Sequence, residues 1–382
     1  MLGLYVHIPF CARQCPYCDF AIHVGARDDL VSEYLTMLRL ELELTLTAHS
    51  VQYPGRPLTS IFFGGGTPTA LSTQALTGLL QFIGDHAEIT PDAEISIEAN
   101  PDGLGADKLM GLRAAGWNRL SLGAQSFDEA ALKFLGRTHT PGQIEAVLGA
   151  ARRAGFDNIS LDFIYAVPGQ SRASWRETVQ RASELEPEHV SCYALTIEGE
   201  TPFARRVEKG RLIPVADEAQ ADLMQDTEAI LREANLLRYE VSNYARPGHE
   251  CRHNLNYWRG GDYLACGCGA HGHANGHRWW NERATPRYIS LMRDCGSARV
   301  GEELLQPRQR LAERIMLGLR LGEGIPLDEV SQELAPDIRG EIDDKVRNLL
   351  SHGILLEQSG VIRLAPGSMA VADAVASRLI PA

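Results

Sequence analysis

The sequence lacks any apolar run of the ~18 residues needed to span a bilayer. No secretory leader precedes its first strand-like segment. Its eight cysteines follow no disulfide-like rhythm, and in a chain of this size that favours a reducing compartment and metal binding. Positive charge is in deficit. A formal net charge of -12 leaves no general basic surface, which supplies most nonspecific affinity for nucleic acid. No repeat at a solenoid period and no low-complexity tract is visible. The expectation is a cytoplasmic protein, with peripheral membrane contact and a homodimer left open. Composition is that of an ordinary globular protein, 44% hydrophobic and 23% charged, and 382 residues suffice for one large and one smaller domain.

Strand-like and helix-like segments alternate. Strands are expected at 2–8, 60–63, 94–98, 119–123, 159–164 and 189–195, and helices at 29–49, 73–85, 106–115, 142–154, 173–185 and 218–234. Such alternation means βαβ units and a parallel sheet. Six units make either an incomplete (β/α) barrel or an open doubly wound sheet, and in both the ligands bind where strands end. Residues 246–300 are rich in His, Cys, Trp and Gly with little periodicity, and read as a connecting segment between a domain over 1–245 and another over 301–382. In the latter, helices at 308–321 and 340–351 precede a hairpin and a last helix, resembling a winged-helix module.

The strongest chemical signal follows the first strand. Cys11, Cys15 and Cys18 are spaced C-x3-C-x2-C, close enough to turn three thiolates toward one ligand. Soft thiolates favour zinc or an iron–sulfur cluster. A zinc site would borrow His7 or His23, but the second half of a zinc ribbon is missing. Three cysteines on a cubane leave one iron open. Other candidates also follow strands: the loop Gly64-Gly65-Gly66-Thr67-Pro68-Thr69, then Glu98, Gln125 and Asp162. The glycine loop is no Walker loop, since no Gly-Lys-Ser/Thr follows. Asp162 lies in an apolar strand, where a charge is costly unless paired. Arg137 follows Gln125 by twelve residues, and a guanidinium suits bidentate pairing with a carboxylate.

The cysteine loop after a first strand, with Tyr17 before its last cysteine, resembles the radical S-adenosylmethionine (SAM) superfamily. That resemblance implies an incomplete (β/α)6 barrel holding a [4Fe–4S] cluster, with SAM chelating its open iron. Tyr5, His7, Glu98, Gly-Ala-Gln-Ser-Phe, Gly-Arg-Thr-His and Asp-Phe-Ile-Tyr-Ala-Val-Pro-Gly-Gln narrow the match. They resemble, in that order, the oxygen-independent coproporphyrinogen III oxidase family. By this resemblance Tyr5, Tyr17, Gly65, Gly66, Thr67, Glu98, Gln125, Arg137 and Asp162 line the cofactor site. Two departures turn the reading toward the family's haem chaperone branch. Phe20 stands where its dehydrogenases carry a further cysteine, and the first strand begins almost at Met1, without their N-terminal extension. The motif His253-Asn254-Leu255-Asn256-Tyr257-Trp258 is typical of that branch. The implied function is to bind haem, cluster and SAM and to deliver haem to apo-haemoproteins of the respiratory chain. The alternative is a coproporphyrinogen III dehydrogenase that decarboxylates two propionates. His253 is the first choice as haem ligand, since a neutral imidazole suits an axial position. A structural role is the other reading. His271, His273 and His277, near Cys266 and Cys268, read as loop packing ahead of a metal site.

Overall fold

The computed structural model describes residues 1–327 and 336–380. Six strands follow chain order: β1 (Leu2–Ile8), β2 (Leu58–Gly65), β3 (Ile89–Ala99), β4 (Arg119–Gln125), β5 (Ile159–Tyr165) and β6 (His189–Ala194). Each pairs in parallel with the next. A parallel neighbour is reached only by a crossover, and helices supply it. These are α1 (Asp28–Gln52), α2 (Thr73–His86), α3 (Ala106–Ala115), α4 (Glu129–Phe134) with α5 (Pro141–Arg153), and α6 (Arg172–Glu184). Ser72, Asp128 and Ser171 cap α2, α4 and α6 through side-chain oxygens, and Thr140-Pro141 opens α5 with a capping box.

The strands' two faces differ. Ile61, Phe63, Ile97, Leu120, Leu122 and Leu161 are buried in the main apolar core, together with Trp117 and Trp175. Alternating with them, Ser60, Ser96, Arg119, Ser121, Ser160, His189 and Ser191 are also buried. A parallel strand covered on both faces is usually apolar throughout. A polar second face marks an interior built around something other than packing.

Beyond β6 come α7 (Pro202–Glu208), α8 (Asp217–Glu233) and two short strands, β7 (Leu237–Arg238) and β8 (Asn243–Ala245), which add antiparallel to β6. Segment 246–300 is not a mere connection. It forms α9 (Arg252–Trp258) and then β9 (Asp262–Cys266), which enters on the far side of β1 and parallel to it. Antiparallel β10 (His271–Ala274), β11 (His277–Asn281) and β12 (Arg299–Leu304) follow. One sheet of twelve strands results, ordered β12-β11-β10-β9-β1-β2-β3-β4-β5-β6-β8-β7. With β9 on its outer edge, β1 never meets β6, so the barrel stays open. The added strands are two to six residues long and rich in His, Trp and Gly, too short for periodicity to show.

This extension is fastened to the barrel by one buried carboxylate. Glu41 of α1 accepts hydrogen bonds from the Gly267 amide at 2.7 Å, Asn281 Nδ2 at 2.6 Å and the Tyr288 hydroxyl at 2.6 Å. Burial raises its pKa and these three donors oppose the rise.

The C-terminal unit has its own core of Leu311, Ile315, Leu319, Ile342, Val346, Leu349, Ile362 and Val375. It comprises α11 (Pro307–Gly318), β13 (Ile325–Pro326), α12 (Pro336–Ser351), the hairpin β14 (Leu355–Gln358) and β15 (Val361–Leu364), and α13 (Ala372–Leu379), while α10 (Thr285–Cys295) packs on the main core. The helix–hairpin–helix order is the expected one. The expected boundary at residue 301 falls inside β12, which belongs to the large sheet. Among the described residues, no helix is long and apolar enough to cross a membrane.

Candidate functional site

The carboxyl ends of the parallel strands surround a cavity of about 680 Å³. Tyr5, Cys11, Cys15, Tyr17, Cys18, Gly65, Gly66, Thr67, Glu98, Gln125, Arg137, Asp162 and His253 all line it. Residues from position 5 to position 162 are thus brought to one space by the repeated βα geometry, and His253 joins them from α9.

Two loops form the mouth and are bonded to each other. The Gly66 amide donates to Ile8 O at 2.8 Å and the Thr67 amide to Phe10 O at 2.9 Å. The approach is so close that a Cβ on Gly65 would lie 2.5 Å from the His7 ring, and one on Gly66 2.6 Å from Pro9 O. Gly65 also sits at φ 115, where other residues are strained. Glycine here is a requirement of the mouth itself. Arg137 ties the cysteine loop to the strands. It reaches Cys15 Sγ at 3.6 Å and Gly123 O at 3.3 Å, and donates to Asn100 Oδ1. Asn100 in turn donates to Thr67 Oγ1 at 2.9 Å. Gln125 ends β4 at φ 64, next to a shift of register against β5. Such bulges re-aim a side chain at a strand end.

The three cysteines are half-buried and free of disulfides. They share the cavity wall, yet among the described residues no three Cys, His, Asp or Glu side chains converge as ligands of a single ion. His7 does not serve as a fourth zinc ligand. Its Nδ1 lies 3.0 Å from the Tyr5 hydroxyl and its Nε2 2.7 Å from Ala21 O, and burial lowers its pKa to about 4. A spread of thiols around a space suits a multi-iron cubane better than one zinc.

Deeper in the cavity the charges are arranged in a column. Glu98 accepts from the Gly65 amide at 3.1 Å. Burial first, and then the charge of Asp162, push its pKa up to about 7. Asp162 accepts from three serine hydroxyls, Ser121 at 2.7 Å, Ser160 at 2.7 Å and Ser191 at 2.6 Å, on three strands. Those are the partners that a carboxylate in an apolar strand needs. Ser160 continues the chain to His189 Nδ1 at 2.8 Å, and His189 Nε2 meets the Tyr239 hydroxyl at 2.8 Å.

Arg119 and Glu94, near the floor, went unnoticed in the sequence because Asn-Arg-Leu-Ser and Ala-Glu-Ile-Ser look like ordinary strand starts. Arg119 is 2% exposed, and its Nε finds no hydrogen-bond partner among the described residues. Burial works against its charge, but Cys251, Glu94, Tyr239 and Asp162 around it raise its pKa above the ordinary value. Glu94 caps α9, accepting from the amides of Arg252 at 2.8 Å and His253 at 3.1 Å. Helix α9 therefore plugs the amino end of the barrel.

That plug corrects the expectation for His253. Its ring is 1% exposed. Its Nδ1 is 2.8 Å from Ser60 Oγ and its Nε2 2.7 Å from the Tyr257 hydroxyl. Burial lowers its pKa to about 3. Both nitrogens are committed, so the geometry argues for the structural role and against an axial ligand. Cys266 and Cys268 are likewise buried in the core, and among the described residues they form no metal-holding group with the neighbouring histidines.

Residues 5–182 match the radical SAM superfamily and residues 305–366 the HemN C-terminal domain. The heme chaperone HemW of Mycobacterium tuberculosis is 39% identical over 85% of this chain and 83% of its own length. That of Bacillus subtilis is 33% identical over 95% of each. The chain belongs to the HemW family. Coproporphyrinogen III oxidase (HemN) from Escherichia coli, described as a radical SAM enzyme, superposes with a TM-score of 0.85 at 24% identity. The match covers 99% of this chain and 90% of that one and shows the shared fold.

Membership in a radical SAM family implies a [4Fe–4S] cluster and SAM, and the donor set fits them. Three unpaired thiols and a glycine-edged mouth stand over a cavity whose volume lies within the ~300–1,000 Å³ common to ligand sites. A cluster bound there supplies one-electron reduction of SAM. The chain itself contributes Arg137, which reaches Cys15 Sγ and donates to Asn100, and the carboxylates of Glu98 and Asp162 in the same cavity.

Proposed function

We propose that this protein is a haem chaperone. It binds haem together with a [4Fe–4S] cluster and SAM, and delivers the haem to apo-haemoproteins, those of the respiratory chain included. Cys11, Cys15 and Cys18 hold the cluster. Gly65, Gly66 and Thr67 meet the amino end of SAM, and Glu98 accepts its ribose hydroxyls. Tyr5, Tyr17, Gln125, Arg137 and Asp162 complete the pocket.

The observation that carries this reading is Phe20. It is 69% exposed at the mouth of the cluster cavity, where the family's dehydrogenases carry a cysteine. A phenyl ring offers no thiol chemistry, so this position does not supply what the dehydrogenases have there. The names of the relatives support the same reading.

The test is one anaerobic preparation with the cluster reconstituted. Haem is added and its Soret band followed. Coproporphyrinogen III, SAM and a reductant are then supplied, and protoporphyrinogen is sought. Stoichiometric haem uptake without turnover is the expected result. Turnover to protoporphyrinogen would make the protein a dehydrogenase instead.

A further inference from the structure

A second cavity, of about 820 Å³, lies between the antiparallel extension and the C-terminal unit, and no cofactor role yet described uses it. Tyr257 and Tyr263 line it with their rings edge to face, centroids 4.3 Å apart. Leu305, Leu311 and Leu317 of the C-terminal side add apolar surface.

His273, from β10, also lines this cavity. Its Nδ1 lies 3.2 Å from Gly261 O and 3.7 Å from Asp262 Oδ1. Only an Nδ1–H can satisfy the carbonyl, so Nε2 carries the lone pair. Among the described residues nothing is hydrogen-bonded to that Nε2. An imidazole oriented by a backbone carbonyl, with a carboxylate close by, is how metal-ligating histidines are held. His277, the first residue of β11 after the turn, pairs instead with Glu302 at 3.4 Å and does not line the cavity.

The rim is basic, and its arginines differ in commitment. Arg259 pairs with Glu323 at 2.8 Å, and Arg278 with Glu303 at 2.9 Å and Glu313 at 2.6 Å. Arg308 and Arg310, on the first turn of α11, line the same cavity and have no carboxylate partner among the described residues. Two uncommitted guanidiniums suit a ligand with two carboxylates. An aromatic and aliphatic interior, an imidazole lone pair on His273 beside the second lining imidazole of His271, and two guanidiniums without a carboxylate partner among the described residues together describe the complement of an iron porphyrin bearing two propionates.

We infer that this cavity is the haem seat, with His273 Nε2 on the iron and Arg308 and Arg310 on the propionates. The inference rests on the haem-binding reading above. It places haem beside the cluster cavity, since Tyr257 lines both.

The test titrates ferric haem, and separately its dimethyl ester, into the full-length, cluster-loaded protein. His273→Ala should weaken haem at least about tenfold, the scale of a disturbed metal ligand, and shift the Soret band. The double change Arg308→Glu with Arg310→Glu lies at exposed positions. It should weaken haem to a similar degree and leave the ester's affinity unchanged. His277→Ala should alter neither. Cluster absorbance retained in every variant shows that each has folded. If the wild-type protein binds haem and both the His273 and the arginine variants keep its affinity and spectrum, the seat is overturned while haem binding stands. If the wild-type protein takes up no haem, the haem-binding reading fails and the seat fails with it.

Discussion

The cluster cavity and the second cavity are similar in volume, about 680 and 820 Å³, and differ in how they are walled. The first is ringed by the ends of six parallel strands, each followed by a loop. Its side chains sit on the rigid interior of a single core. The second is walled on one side by the extension and on the other by α11 of a unit with a separate core. Among the described residues the fastenings between them include the Arg259–Glu323 and Arg278–Glu313 pairs and Arg314 Nη1 donating to Arg259 O at 2.9 Å, and nearby the Gly322 amide on Tyr239 O at 2.8 Å and a bridge from Glu240 to Leu321. A site on one core is preorganised. A site between two cores can widen, which suits a cargo that must leave.

The sharpest way to break this comparison is to remove the cluster. Cys15→Ala should abolish the iron–sulfur chromophore completely, because the remaining two thiols cannot anchor a cubane with one iron open. Haem affinity should stay within about threefold, well under the tenfold that each 1.4 kcal/mol represents. Iron and sulfide analysis beside a haem titration reads both quantities. Loss of haem binding along with the cluster would show that the cavities act as one.

Next in size is the plug. Glu94 is buried with two helix amides on its oxygens and Arg119 as neighbour. Glu94→Ala removes one of two carboxylates around a buried cation, Asp162 being the other, and leaves two helix amides without their acceptor, which costs about 1–3 kcal/mol each. The urea midpoint of the barrel should fall accordingly, and a loss under about 1 kcal/mol would mean that solvent reaches Arg119.

A third effect separates the cavities by pH. The Glu98 pKa is raised to about 7, so its carboxyl is largely protonated below that pH and ionised above it. If the ionised form accepts the ribose hydroxyls, SAM affinity should fall by about tenfold per pH unit below 7. Above 7 it should level off, and Glu98→Gln should flatten the profile. The shift has the opposite sign for folding. Between the ordinary carboxylate range and pH 7 the folded state holds a proton that the unfolded state has released, so this group lowers stability as pH rises. Isothermal titration from pH 5.5 to 8 measures the first effect; a flat wild-type profile would remove Glu98 from the ribose.

The comparison also explains what could be read from the sequence. The gathering of Cys11, Cys15 and Cys18, Gly65 to Thr67, Glu98, Gln125 and Asp162 at one cavity was legible because each lies in or just after a strand of a repeating βα unit. Topology alone sends such positions to one face. Arg119, which opens β4, and Glu94, midway along β3, were not legible, since nothing local distinguishes a floor residue there from a surface one. His253 was legible as a motif but not in its role. Its two hydrogen bonds go to Ser60, 193 positions away, and to Tyr257, one helical turn on. The second cavity was invisible, because β9 joins the sheet beside β1, a pairing over some 260 residues that no short pattern encodes.

The smallest expected effect concerns the fastening between the two cores. Arg259 reaches Glu323 through Nε and Nη2, both at 2.8 Å, in a pair exposed on both sides. Exposed pairs contribute about 0–1 kcal/mol, so Arg259→Ala should leave the unfolding midpoint of the whole chain nearly unchanged. Its consequence should be kinetic. With one of the links across the second cavity cut, the C-terminal unit should open more often, and haem should leave about two- to fivefold faster, the factor that 0.4–1 kcal/mol represents. Transfer of haem to excess apomyoglobin, followed by stopped flow, measures that rate directly. Removing the rim arginines Arg308 and Arg310 also speeds release, but by weakening the bound state. The two cases separate at high salt, which should slow nothing in the Arg259 variant and should bring the wild-type rate toward that of the rim variants.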